Sequence, residues 1–284
     1  MERSLATASL AFVGDTTSGL AGIDDAAGGT PRVIPGMELT TFSGHAVSLG
    51  TRGWIDWGVL RREAMSAIAL DVRRRGGLFV IAHPASVGDP VCSGCDWRFP
   101  DMLPGPASAV EVWNGPWDCN SNNEKGLALW YGWLEAGHRV VATAGSDTHG
   151  PGECWERIGR SVVWSQGCTE EAILGSIAAG HLYLSAGPHL GLSAVSGERE
   201  AGMGETLAAG AADLRAAWRG CPEGSCLRLV RDGVVLSEER AAGDGTRRWE
   251  GVAARWCVAE LRDRVGQMLA LTNPVYLEPR EPRA

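Results

Sequence analysis

Short apolar runs recur along the first two-thirds of this chain, and three of them end in an Asp, Glu or His. Val33-Ile34-Pro35-Gly36-Met37 leads to Glu38, and Leu78-Phe79-Val80-Ile81-Ala82 leads to His83. Ala142-Thr143-Ala144-Gly145-Ser146 leads to Asp147 and, two residues on, His149, while His45 stands in Ser43-Gly44-His45. A strand that delivers a carboxylate or an imidazole at its C-terminal tip is a common way to build a metal site in an α/β protein.

Helical patterns separate the runs. Leu60, Ala64, Ile68 and Val72 repeat at helical spacing up to Gly76-Gly77, and the run to His83 follows at once. Val110-Glu111-Val112-Trp113 reads as a strand, followed by a helix with Leu127, Trp130, Tyr131 and Leu134 on one face and a stop at Gly137. Thr169 reads as an N-cap with Glu170 and Glu171 in the first turn, Ile173, Leu174 and Ile177 on the buried face, and Gly180 at the end. Strands alternating with amphipathic helices predict an α/β unit with a mostly parallel sheet or barrel over residues 1–189. After about Pro188 the pattern changes. Leu227 to Leu236 alternates around Asp232-Gly233, a hairpin signal, and Val258–Arg262 and Met268–Thr272 read as further strands. Residues 190–284 are therefore expected to form a small antiparallel, sandwich-like β domain.

Composition narrows the partners. A formal charge of −8 over 284 residues leaves no basic footprint for a nucleic-acid backbone, which points to a small-molecule substrate. No apolar run reaches the roughly 18 residues that a membrane span needs. Leu5 to Val13 is short for a signal peptide, Arg3 is offset by Glu2 and no cleavage site follows, so the expected location is cytoplasmic, with no membrane partner. Oligomeric state is left open. Among eight Cys, Cys92-Ser93-Gly94-Cys95 has the spacing of half a zinc ribbon but no second Cys-x-x-Cys to close it; Cys221 and Cys226 read either as a bridge or as loop thiols.

Glu38, His45, His83, Asp147 and His149 together suggest a binuclear hydrolytic centre more than a structural zinc, which uses four closed Cys/His ligands. Each has a structural alternative: Glu38 and Asp147 as capping groups, His83 before Pro84 as a satisfied core histidine. Their joint placement favours the functional reading.

Pro35-Gly36-Met37-Glu38, Ser43-Gly44-His45, Ala82-His83-Pro84, Glu111-Val112-Trp113-Asn114-Gly115 and Gly145-Ser146-Asp147-Thr148-His149 occur in this order, and together they resemble the polymerase-and-histidinol-phosphatase (PHP) superfamily, in its CehA/McbA-like metallohydrolase branch. Leu271-Thr272-Asn273-Pro274-Val275-Tyr276 is similar to that branch as well. The resemblance implies a distorted (β/α)7 barrel, incomplete at its N-terminus, and a centre of two or three metals, with Glu38, His45, His83, Asp147 and His149 at ligand positions. It implies hydrolysis of phosphoesters or of aryl carbamate esters.

The departure from the pattern is N-terminal. The His-x-His strand usual in that family is absent, and Phe12-Val13-Gly14-Asp15 stands where an Asp-His pair is expected before Thr16-Thr17-Ser18-Gly19. The chain is read as truncated upstream or as having lost part of its site, with Asp15 a substitute ligand and Glu38, His45 and His83 the complete three-ligand set.

Half of the twelve Trp lie between His83 and residue 155, which directs attention to pocket walls. Trp130 and Trp133 read as helix core. Trp97, Trp113 and Trp117, in or beside Gly/Pro-rich loops after strands, are the candidates for stacking on substrate, with Arg98 and Asn114 as polar pocket groups. Arg98, Arg157 and Arg160 are candidate clamps for an anion, although exposed arginines more often face water. The expectation is a metal-dependent hydrolase using Zn, Mn or Fe, with Asp147 or His149 positioning or deprotonating a metal-activated water. The alternative is a degenerate protein that keeps a partial metal site and binds a ligand without efficient turnover.

Overall fold

The structure is a computed structural model, and it describes residues 33–57, 65–92, 94–148 and 157–278. The expected positions Asp15, His149 and Trp155, the Leu5–Val13 stretch, and Leu60 and Ala64 of the first helical pattern lie outside the described residues.

Five strands form the first sheet, in spatial order β1-β2-β3-β4-β5. They are β1 (Gly36–Thr41), β2 (Gly44–Leu49), β3 (Leu78–Ala82), β4 (Ala109–Asn114) and β5 (Val141–Gly145), with α1 (Met65–Arg74) before β3 and α2 (Asn123–Glu135) before β5. The β1–β2 and β2–β3 pairs are antiparallel, whereas β3–β4 and β4–β5 are parallel. The reason for the first reversal is local. Thr41 pairs with Gly44, so only Phe42 and Ser43 connect β1 to β2. A parallel pair needs a crossover of a dozen or more residues, and a two-residue turn enforces a hairpin.

The remaining elements are β6 (Arg160–Val163), α3 (Glu170–Ala178), β7 (Leu182–Ser185), β8 (His189–Ser196), β9 (Arg199–Gly202), β10 (Thr206–Leu207), β11 (Ala211–Arg231), β12 (Val234–Ala253), β13 (Trp256–Arg262), β14 (Met268–Thr272) and β15 (Val275–Leu277). All the strands among them join one ten-stranded sheet, antiparallel except for the β10–β15 pair. Its longest pair, β11 with β12, turns at Asp232-Gly233, where Arg231 faces Val234, as the sequence predicts. The sheet reaches back past residue 189 to take in β6 and β7, because β7 pairs with β14.

The expected (β/α)7 barrel is therefore corrected. Among the described residues there are fifteen strands and three helices, and a curled antiparallel sheet dominates. The helical patterns themselves are real. In α2, Leu127, Trp130 and Leu134 are buried, and α3 is capped by Thr169, whose Oγ1 accepts from the Ala172 backbone N–H at 3.2 Å. Such a cap contributes about 1 kcal/mol. What fails is the inference from alternating elements to a closed parallel barrel.

The two sheets meet at the outer edge of β5, where side chains stand in for a neighbouring strand. Asn273 Oδ1 accepts from the Ala142 N–H at 2.8 Å, and its Nδ2 donates to the carbonyls of Ala142 (3.0 Å) and Leu182 (3.1 Å). Ser161 Oγ accepts from the Ala144 N–H at 3.0 Å. A buried edge without such partners leaves orphan peptide groups, each costing about 1–3 kcal/mol. The core of the first sheet packs Phe79, Ile81, Trp113 and Trp130 and continues into Trp256, Val258 and Met268 of the second.

Candidate metal centre

Strand geometry brings the candidate ligands together. Glu38 lies within β1, His45 near the start of β2 opposite Thr40 and Ala82, and His83 immediately after β3. Asp147 follows β5, next in order beyond β4. Glu38 Oε1 is 3.0 Å from His45 Nδ1 and 3.8 Å from His83 Nε2, and His83 Nε2 is 3.9 Å from Asp147 Oδ2. The imidazoles of His45 and His83 meet edge to face at 5.1 Å. Four of the five expected ligands thus form one cluster; the fifth, His149, lies outside the described residues.

The backbone is bent to make this cluster. His83 has φ of 27° and Asp147 of 52°, both in the left-handed region that residues with a Cβ seldom adopt. Each such residue costs on the order of 1 kcal/mol, and strain of this kind gathers where side chains must be aimed.

Electrostatics tie the group closer. The imidazoles of His45 and His83 hold the Glu38 carboxyl down to about 2, well below the ordinary value, against the upward pull of burial. Burial pulls His83 down, but the neighbouring carboxylates Glu38, Glu111 and Asp147 more than reverse it and raise the imidazole to about 9.

Glu111 carries no role in the sequence pattern, and the structure gives it one. Its carboxyl is buried behind His83: Oε2 accepts the His83 backbone N–H at 3.2 Å and the Asn114 Nδ2–H at 3.2 Å. Burial, with a smaller contribution from Asp147, pushes it up to about 7 against the pull of His83. The signal was present in the sequence, since Glu111 is a lone charge within the apolar run Ala109 to Trp113.

A cleft opens over this cluster, lined by Met37, Glu38, Val47, His83, Glu111, Asn114, Ser146 and Asp147 among others. Asn114 is therefore where a pocket group should be, though its amide is committed: it donates to Glu111 and accepts from Ser121 Oγ at 2.7 Å. The aromatic expectations change. Trp113 is fully buried and meets Trp117 edge to face at 5.0 Å in the core. Trp117, also buried, donates its Nε1–H to Glu124 at 2.8 Å. Neither ring lines the cleft: Trp113 on β4 and Trp117 in the loop after it both pack into the core. Trp97 is half-buried, donates to the Met102 carbonyl at 2.8 Å and lies against Gly44, where a Cβ would come within 2.4 Å of its ring. The proposed arginine clamps are engaged or remote. Arg98 forms a two-pronged pair with Asp96, Arg157 pairs with Asp263 at 2.8 Å, and Arg160 is exposed on β6.

The loop after β3 brings Cys95 beside the imidazoles: one ligand atom each from His45, His83 and Cys95 lies within 4.8 Å of the others. Cys92 and Cys95 form a disulfide, whereas Cys221 and Cys226 are free thiols. The loop after β4 is tied to the loop after β3, with Asn122 Nδ2 donating to the Ala85 carbonyl at 3.0 Å.

A cation fits this donor set. Two imidazoles and two carboxylates converge, with His83 Nε2 turned toward both Glu38 and Asp147, a mixed nitrogen and oxygen set suited to a divalent cation. No known family profile and no curated protein matches the chain. One solved structure, the crystal structure of an engineered protein, aligns with 33% of this chain and 20% of its own at 18% identity and a TM-score of 0.21. A likeness that small carries no argument. No helix among the described residues is long and apolar enough to cross a membrane.

Proposed function

We propose that this chain is a metal-dependent hydrolase acting on a phosphoester or on a carboxylic or carbamate ester, the chemistry that its PHP-like motifs imply. The observation that carries the reading is the convergence of Glu38, His45, His83 and Asp147 at one cleft, on two left-handed backbone residues. A divalent cation held there (Zn, Mn or Fe) supplies Lewis acidity to a substrate oxygen and to the attacking water. Glu38 and the two imidazoles hold the cation. Asp147, the most exposed of the four, faces the cleft and takes the proton of the attacking water on Oδ2. Glu111 fixes the strained His83 backbone through its N–H, and Asn114 fixes Glu111. Met37 and Val47 give the cleft an apolar wall for the substrate.

A second reading, a binding protein with a partial site and no efficient turnover, is favoured by the imidazole count. Among the described residues only His45 and His83 reach the cluster. Elemental analysis after dialysis, with assays on aryl phosphate and aryl carbamate esters under added Mn or Zn, separates the two. Hydrolysis is expected, with Glu38→Gln losing both cation and turnover. Asp147→Asn is expected to keep the cation and slow turnover about 100-fold or more, the usual scale of a general base. A retained cation with no turnover supports the binding reading, and no cation in the parent protein removes both.

A further inference from the structure

Three buried groups in and beside the cluster together have the chemistry of a softer metal site. His45, His83 and Cys95 are all buried, at 7%, 5% and 6% exposure, and their ligand atoms lie within 4.8 Å of one another. A zinc ion about 2.0–2.3 Å from each ligand requires its ligand atoms roughly 3.3–3.8 Å apart, so closure needs movements of about an ångström. Glu38 Oε1, 3.0 Å from His45 Nδ1, supplies a fourth donor. His83 turns Nε2 toward the same Glu38 oxygen, at 3.8 Å, so that carboxylate oxygen faces both imidazoles.

The loop that brings Cys95 here is seated by contacts only certain residues allow. Gly94 presses against the β1–β2 turn so closely that a Cβ would fall 1.9 Å from the Thr41 carbonyl oxygen. Trp97 closes over Gly44, and the Arg98 N–H donates to the Ser43 carbonyl at 2.7 Å. Cys95 is thus held over His45 from both sides along the chain. Its sulfur is joined to Cys92, and a disulfide sulfur is a poor metal ligand, since the ligand form is the thiolate.

The geometry points to a redox-gated cation site in which Cys95, once released from Cys92, joins His45, His83 and Glu38 as a thiolate ligand, so that the reduced chain selects a thiophilic cation such as zinc over manganese. This rests on the reading of Glu38, His45 and His83 as cation ligands. In the test reaction a trialkylphosphine opens the disulfide: phosphorus gives two electrons and takes oxygen from water as phosphine oxide, and the two hydrogens of that water end on Cys92 and Cys95. On binding, the cation displaces the Cys95 thiol proton to solvent. Oxidation by thiol–disulfide exchange with a small disulfide, which takes the two electrons and two protons and leaves as two thiols, rejoins Cys95 to Cys92 and withdraws the sulfur.

Cobalt(II) is the probe, because a thiolate–cobalt bond gives an intense charge-transfer band in the near ultraviolet, while nitrogen and oxygen ligation gives only the weak visible bands. Spectra are taken of the full chain, oxidised and phosphine-reduced, and of Cys92→Ser and Cys95→Ser. The band is expected in the reduced parent and in Cys92→Ser without any reductant, and is expected to be absent from the oxidised parent and from Cys95→Ser. Zinc competition should show a loss of at least ~10-fold in affinity in the last two, the scale on which even outer partners of metal ligands act. Cobalt bound with visible bands alone in the reduced parent and Cys92→Ser overturns the thiolate ligand and leaves the hydrolase reading standing. A band that survives in Cys95→Ser assigns the sulfur elsewhere and overturns it as well. No cobalt bound in any form removes this site and the hydrolase reading together.

Discussion

Arg262 and Glu260 in the ten-stranded sheet, and Glu111 in the five-stranded one with His83 just beyond β3, are all nearly excluded from solvent, yet they are treated differently. Arg262 donates to Glu260 at 2.6 Å, to Glu124 and to the Gly266 carbonyl, while Tyr131 donates to the second oxygen of Glu260 at 2.7 Å. That network closes on itself and ties α2 to β13. Glu111 accepts from His83 and Asn114, but it and His83 border a cleft, and His83 keeps a buried nitrogen without a hydrogen bond among the described residues. Burial alone does not mark a functional site. A buried charge enclosed by its own partners registers one element against another; a buried charge left partly satisfied at a cavity retains the capacity to take a ligand.

If that contrast is right, breaking the closed network should cost stability. Arg262→Met leaves Glu260, 3% exposed, buried without its main counter-charge, and a loss of about 3–5 kcal/mol is expected. Equilibrium unfolding in denaturant measures it, and Arg262→Met with Glu260→Leu should recover most of the loss. A single variant within about 1 kcal/mol of the parent would show that water reaches Glu260 and that the network is not closed.

A smaller effect is expected where a neutral side chain does the joining. Asn273→Ala leaves the Ala142 N–H and carbonyl without their side-chain partners in a region closed to solvent, while the Leu182 carbonyl keeps the Asn273 backbone N–H. The expected cost is about 2–4 kcal/mol, at the scale of orphaned buried peptide groups. Amide hydrogen exchange at Ala142 should accelerate in step with global unfolding. Unchanged exchange there would mean that β5 does not depend on Asn273 for its outer edge.

What the sequence shows well is local. Thr169 as a cap, the buried faces of α2 and α3, and the Asp232-Gly233 hairpin each depend on residues within a turn or two of each other. Glu38, His45, His83 and Asp147 were legible because each stands beside a short apolar run. The open, partly antiparallel sheet was not, since the alternation of strands and helices that suits it also suits the barrel expected from it, and the two-residue link Phe42-Ser43 excludes a parallel β1–β2 pair. Cys95 was hidden for a different reason: its neighbours His45 and His83 are far off in sequence, and spacing to Cys92 alone suggests half of another motif. Asn273 was visible only as part of a resemblance, because a side chain that imitates a strand edge has no periodic signature.

The smallest effect concerns Trp117, which a loop position and an aromatic ring suggested as a substrate platform. An indole in a Gly/Pro-rich loop reads the same in sequence whether it faces a cleft or the core, and here it faces the core, against Trp113, with Nε1–H on Glu124 and the Arg262 guanidinium 5.8 Å from the ring. Trp117 therefore belongs with the closed network. Trp117→Phe keeps most of the ring contact and deletes one hydrogen bond to a half-exposed carboxylate, a loss of about 1 kcal/mol. KM for an aryl ester should stay within about twofold of the parent, because uniform binding energy changes only when a substrate contact is removed. A raised KM with unchanged unfolding free energy would move Trp117 to the cleft and erase the distinction between the two kinds of buried polar group on this side of the molecule.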